Sequence, residues 1–217
     1  IVSELDITVL GVDYSVGRNI THQKMRTRLK QAASKAARIN TLANGGWSKL
    51  NIMRAHVVSA VTYSARVNGI PNDILDKLRT MVRSATSTRA QGGSATMDML
   101  LQKPKYVDLF YDANLLPIME WVVRVNVAYY KLDEPAVERH KKAWYNAVAK
   151  LYMLPAGVEP WKHVTGPAAA CILSLLRIQW KPATVDVCRK WVNHSGDEIG
   201  IGFLPPVLYQ GVASRRY

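Results

Sequence analysis

Between Asp13 and Asp73 the sequence has no acidic residue, and ten basic ones fall in the gap: Arg18, Lys24, Arg26, Arg28, Lys30, Lys35, Arg38, Lys49, Arg54 and Arg66. That excludes, for this stretch, the self-neutralising mixture of charges on an ordinary globular surface. Cysteine is scarce as well: Cys171 and Cys188 are the only two in 217 residues, too few for a disulfide framework and suited to a reducing compartment. No apolar run approaches the roughly 20 residues that span a bilayer, the longest candidate being residues 168–176. There is no Asp-Asp pair, so a Tyr-x-Asp-Asp turn holding two metal ions cannot be built from this chain. Walker A, His-Glu-x-x-His and Gly-x-Ser-x-Gly patterns are absent too, which leaves no recognisable catalytic motif. The chain alone is expected not to be an active enzyme. Internal repeats and low-complexity tracts are also missing.

What is present is positive charge and apolar residues. The 29 Lys and Arg against 16 Asp and Glu give a formal charge of +13, and 48% of residues are hydrophobic. A folded, soluble, intracellular protein of nucleus or cytoplasm is expected, with nucleic acid ahead of an anionic membrane as partner. The first residue is Ile1 and no signal segment follows it, so the expectation is a chain cut from something longer.

Residues 1–12 alternate apolar and polar side chains up to Gly11, as a strand entering a turn does. No partner strand is evident nearby, which suggests the end of a truncated sheet. Over residues 21–43, Met25, Leu29, Ala32, Ala36, Ile39 and Ala43 recur at spacings of three and four, the mark of one helix face. Lys24, Arg28, Lys35 and Arg38 flank that stripe on one side, Arg26 and Lys30 on the other. Asn44-Gly45-Gly46 tolerates positive φ and ends the helix.

A second helix is expected over residues 48–68, with Ser48 as its N-cap and Leu50, Met53, Val57, Ala60 and Ser64 inward. A third starts at Asn72 or Asp73 and buries Ile74, Leu75, Leu78, Met81 and Val82, leaving Lys77, Arg79 and Arg83 outside. Small and polar residues over 86–94 mark a boundary. Beyond it, helices are expected at 95–102, 106–113, 116–132 with Pro117 in the first turn, 135–151 carrying Val137, Trp144, Val148 and Leu151, and 167–177. A hairpin about Ser195-Gly196 and a last helix toward Tyr217 complete the chain. The fold class expected is mainly α. A basic helical bundle (residues 13–90) follows the sheet remnant (residues 1–12) and precedes a helical connection with a small C-terminal β-hairpin (residues 94–217).

The residues expected to hold phosphates are Lys24, Arg26, Arg28, Lys30, Lys35, Arg38, Lys49 and Arg54. A run of charge is usually only a solvated helix face, but the missing counter-charges favour contact with a polyanion here. Lys131, Arg139, His140, Lys141 and Lys142 lie beside Asp133, Glu134 and Glu138, and for them the solvated face is preferred. His163, Cys171, Cys188 and His194 lack the close spacing of a zinc site, so buried thiols and surface imidazoles are expected instead. Trp121, Tyr129 and Trp144 are expected in the core. For Trp47 and Tyr63, within the basic unit, stacking on bases is weighed against ordinary packing, and packing is preferred.

Several of these residues together carry a resemblance. The order Leu10-Gly11-Val12-Asp13, the Ala-rich basic helix from Arg28 to Arg38, the helix ending at Tyr63 to Gly69, Leu78-Arg79, and a late Trp191 before Gly196-Asp197-Glu198-Ile199 resembles the region after the palm in reverse transcriptases of non-LTR (LINE-like) retrotransposons, dinoflagellate type. The resemblance implies that residues 1–12 are the palm's last strand, residues 18–87 the thumb, and residues 94–217 the connection toward an RNase H-like region. It implies that the partner is an RNA-DNA hybrid or a DNA or RNA duplex. Catalytic aspartates and Mg²⁺ would belong to the upstream palm of the full-length polymerase; no cofactor is expected in this chain. A free-standing helical nucleic-acid-binding or scaffold protein without polymerase activity is the alternative.

Overall fold

The computed structural model describes residues 6–10, 12–15, 19–42, 47–86, 109–182, 190–193 and 195–200. Within them the protein is mainly helical. Strand β1 (Asp6–Val9) pairs antiparallel with β2 (Val12–Ser15), Val9 opposite Val12. The partner missing from the sequence reading is therefore the next segment along the chain. The periodicity of residues 12–15 is too short to announce a strand by itself.

Helix α1 (Gln23–Asn40) buries Met25, Leu29, Ala32, Ala36 and Ile39, the face its spacing specifies. Its N-terminus has an unusual cap. His22, at the N-cap, takes a left-handed conformation (φ 53°) and offers no side-chain cap. Instead the buried carboxylate of Asp13, reaching over from β2, accepts from the second helical amide, Lys24 N, at 2.8 Å. The backbone carbonyl of Asp13 in turn accepts from Asn68 Nδ2 at 2.7 Å. The acid immediately before the acid-free stretch thus satisfies an orphan helix amide at the positive end of the helix dipole. Asp13→Ala should cost about 1.5–3 kcal/mol, the worth of a hydrogen bond to a charged group. Asp13→Asn, which keeps an acceptor, should cost less; equal melting temperatures for parent and alanine variant would refute the cap.

The next helix departs from the expected pattern. It begins at Trp47, so Ser48 lies inside its first turn, and α2 (Trp47–Met53) runs through a π-helical segment (Arg54–Val58) into α3 (Ser59–Thr62). A π segment widens the turn by about one residue, and the buried set slips accordingly. Val58, Val61 and Ala65 join Leu50, Met53 and Val57, while Ala60 is only half-buried. After a break at Tyr63 and Ser64, the short α4 (Ala65–Asn68) leads to Gly69 and then α5 (Asn72–Thr86). On α5, Ile74, Leu75, Leu78 and Val82 are buried and Lys77 is exposed, as the spacing predicts. Arg79 and Arg83 are half-buried instead of outside, the Arg79 guanidinium lying 5.9 Å from the Phe110 ring centre.

The two helices expected at 106–113 and 116–132 are one, α6 (Leu109–Tyr130), with Pro117 in its third turn. Proline removes a single rung of the ladder, and burial of Leu109, Ala113, Trp121, Val122 and Val125 along the helix outweighs that loss. Helix α7 (Glu134–Tyr152) starts at an Asp133 cap, which accepts from Ala136 N at 2.9 Å. A 3₁₀ turn (Pro160–His163) precedes α8 (Pro167–Arg177), whose residues 168–175 are all buried. Strands β3 (Lys181–Pro182), β4 (Lys190–Val192) and β5 (Glu198–Gly200) pair antiparallel in that order, the last two on either side of Ser195-Gly196. The expected helices at 95–102 and before Tyr217 lie outside the described residues.

Two apolar clusters organise the whole. The first gathers α1, α2, α3 and α5, together with Leu109 and Ala113 of α6, and Phe110 and Leu116 at its edge. The second gathers Trp121 and Val125 of α6, Trp144 and Ala147 of α7, Trp161, Val164 and α8, and it also takes Ile20 from the N-terminal half. Trp121 and Trp144 are thus core residues with ring centres 5.5 Å apart, and Tyr129 packs at the edge. Each half of the chain contributes to the other's core. No described helix is long and apolar enough to cross a membrane.

Candidate nucleic-acid interface

The eight expected phosphate ligands do not share one face. On the α5 side of α1, Arg26 Nη1 pairs with Asp73 Oδ2 at 2.7 Å. Arg54, within the π segment, turns toward α6 and pairs with Asp112 at 3.3 Å. Lys49 donates to the carbonyl of Asn40, 3.0 Å away, and so finishes the C-terminal end of α1. Arg66 meets Glu120 at 3.6 Å, a carboxylate that Arg124 also holds at 2.7 Å. Carboxylates from beyond the acid-free stretch therefore neutralise part of it.

The other flank of α1 remains charged. Lys24, Lys35 and Arg38 are exposed, as is Lys30 on the opposite flank. Among the described residues, no carboxylate lies within ion-pair distance of any of these four. Between Lys24 and Lys35, Arg28 lays its guanidinium over Tyr63, 4.9 Å from the ring centre. Toward the end of α1, Lys35 and Arg38 border a shallow groove of about 300 Å³ floored by Ile39, Leu42 and Ile52 and closed by His56. His56 was not among the expected ligands. Its spacing of seven from Lys49, two helical turns, could have placed it on this side. Trp47 begins α2, and its side chain lies outside the described residues.

Arg177, by contrast, is structural. It stacks on Trp161 at 4.1 Å and donates to Ile70 O at 2.6 Å and Asn114 Oδ1 at 3.3 Å. Burial lowers its pKa to about 10, which leaves it a cation throughout the neutral range. In the second basic group, Lys131, Arg139 and Lys142 are exposed, Lys141 pairs with Glu138 at 2.8 Å, and His140 Nδ1 lies 2.6 Å from Ala136 O. Cys171 is buried in α8, whereas Cys188 and His194 lie outside the described residues.

His22 ties the base of α1 to the second core, with Nε2 2.9 Å from Trp161 O. Burial pushes its pKa below 6.5, and Arg26 adds to this; the Trp161 bond and the charges of Asp13 and Asp73 oppose it. The fold thus favours neutral imidazole. Its contribution is fully present above the unfolded-state value of 6.5 and is lost as pH falls below that toward the lower folded-state value. Melting temperature should fall between about pH 7.5 and about pH 5, and more steeply for the parent than for His22→Gln, whose amide does not titrate. Parallel pH profiles would exclude His22 as a source.

No family model matches the chain, and neither a curated protein nor a solved structure does.

Proposed function

We propose that this chain binds nucleic acid along the uncompensated flank of α1, as the thumb and connection of a non-LTR retrotransposon reverse transcriptase. The observation that supports binding is the row Lys24, Arg28, Lys35 and Arg38, which has no carboxylate partner among the described residues. The same stretch's other arginines, Arg26, Arg54 and Arg66, are paired. The polymerase assignment comes from the sequence resemblance. In this reading the role is positional: Lys and Arg hold phosphates of an RNA-DNA hybrid or another duplex without reading bases, so that an active site elsewhere meets the primer end. Among the described residues no three His, Cys, Asp or Glu lie together as a ligand set. By the sequence resemblance, Mg²⁺ would be held by the upstream palm of the full-length polymerase, and no catalytic step is assigned to this chain.

The test is salt dependence of duplex binding by fluorescence anisotropy. With three or four phosphates neutralised, log affinity should fall against log salt with a slope of roughly −3 to −4 on B-form DNA. Affinity that stays flat between low and physiological salt would overturn the reading.

A further inference from the structure

We propose that Tyr63 and Arg28 form a stacking site for an unpaired nucleobase, so that the interface accepts a single-stranded segment beside the phosphates held by α1. The proposal rests on the phosphate-binding reading above and adds to it a single-stranded segment as a second ligand of the same interface.

Tyr63 stands where the chain steps out of helix between α3 and α4, and 57% of it is exposed. It contributes nothing to either apolar cluster. The guanidinium above its ring is held there without a carboxylate: Arg28 Nη1 is shut away from solvent and has no hydrogen-bond acceptor, so ring contact is what orients it. Two planar groups are thereby fixed in contact on the charged flank. Lys24 lies one turn before Arg28 and Lys35 two turns after it, about 6 Å and about 10 Å along the axis at 1.5 Å per residue. A strand whose phosphates track these cations passes the Tyr63–Arg28 pair. Bases inside a duplex are stacked on one another and present no free face, whereas an unpaired base does. Because every base has such a face, the site is indifferent to sequence and takes single-stranded RNA or DNA, alone or as an overhang.

The experiment compares a labelled single-stranded oligonucleotide with a blunt duplex of the same length, using the full chain as parent, Tyr63→Ala and Tyr63→Trp. Tyr63→Ala should weaken single-strand binding about 5- to 150-fold, the range that loss of one base–aromatic stack gives. Duplex affinity should fall much less than single-strand affinity, since Arg28 loses its support but keeps its charge, and Tyr63→Trp should retain single-strand affinity. Unchanged single-strand affinity in Tyr63→Ala, or equal loss on both ligands, overturns the stacking site while parental duplex binding leaves the phosphate reading standing. A parent that binds neither ligand overturns both.

Discussion

Changing Lys24, Lys35 and Arg38 together to Glu should abolish most nucleic-acid binding, by on the order of a hundredfold or more near physiological salt, since each change removes one attraction and adds one repulsion. All three are exposed, so the variant should fold, and circular dichroism checks that. Arg28 is left out on purpose. The sequence suggests that it is as exposed as its neighbours, but it is half-buried against Tyr63, and reversing it would confuse charge with packing. The matched control is Arg139, Lys141 and Lys142 to Glu, in a group where Lys141 already has a carboxylate partner. That variant should keep most of its affinity. Equal loss in the two triple variants would mean that the grip is spread over both halves of the molecule.

The largest effect on stability is expected from Gly69→Ala. Gly69 has φ 65° and ψ −167°, a combination that is essentially confined to glycine. A β-carbon there would sit 2.2 Å from a ring carbon of Trp161. That ring cannot easily move, because it is buried in the second cluster and lies under Arg177, and its backbone carbonyl meets His22. Backbone strain of about 1–3 kcal/mol and overpacking of about 1–3 kcal/mol together should lower the melting temperature by roughly 5–20 °C for a chain of this size. A melting temperature within about 2 °C of the parent's would show that the loop and the indole can separate freely, contrary to this packing.

What the sequence disclosed was mostly local. The spacing of Met25, Leu29, Ala32, Ala36 and Ile39 specifies the buried face of α1, and the apolar run after Pro167 specifies α8, because each pattern repeats within a few residues. What it hid was contact at long range. Asp112 reaches Arg54 across 58 residues and Trp161 reaches His22 across 139. A stretch without acids in sequence is consequently not a region without acids in space. Five of the eight expected phosphate ligands (Lys24, Arg28, Lys30, Lys35 and Arg38) lack a carboxylate or carbonyl partner among the described residues, whereas Arg26, Lys49 and Arg54 have one. The π segment was equally hidden, since a one-residue slip in register leaves both readings of residues 57–65 apolar enough to be helix. The outlier conformation of His22 likewise follows from Asp13 taking over its capping role, which no local pattern encodes.

Helix α6 belongs to the second half by position, yet its opening turns wall the first core and its later turns the second. A break in composition is therefore not a place where evolution could splice. Recombination near residue 90 would hand the basic half to a stranger without Leu109, Phe110, Ala113 and Leu116, and would uncover Ile20 where the other half expects it. The two halves should be inherited as one cassette, with Trp161 tied to Gly69, against which its ring packs across that seam, and Arg177 tied to the Ile70 carbonyl. Lys24, Lys35 and Arg38, exposed on the other flank of α1, face no such bargain with the fold and can drift in sequence without uncovering either core.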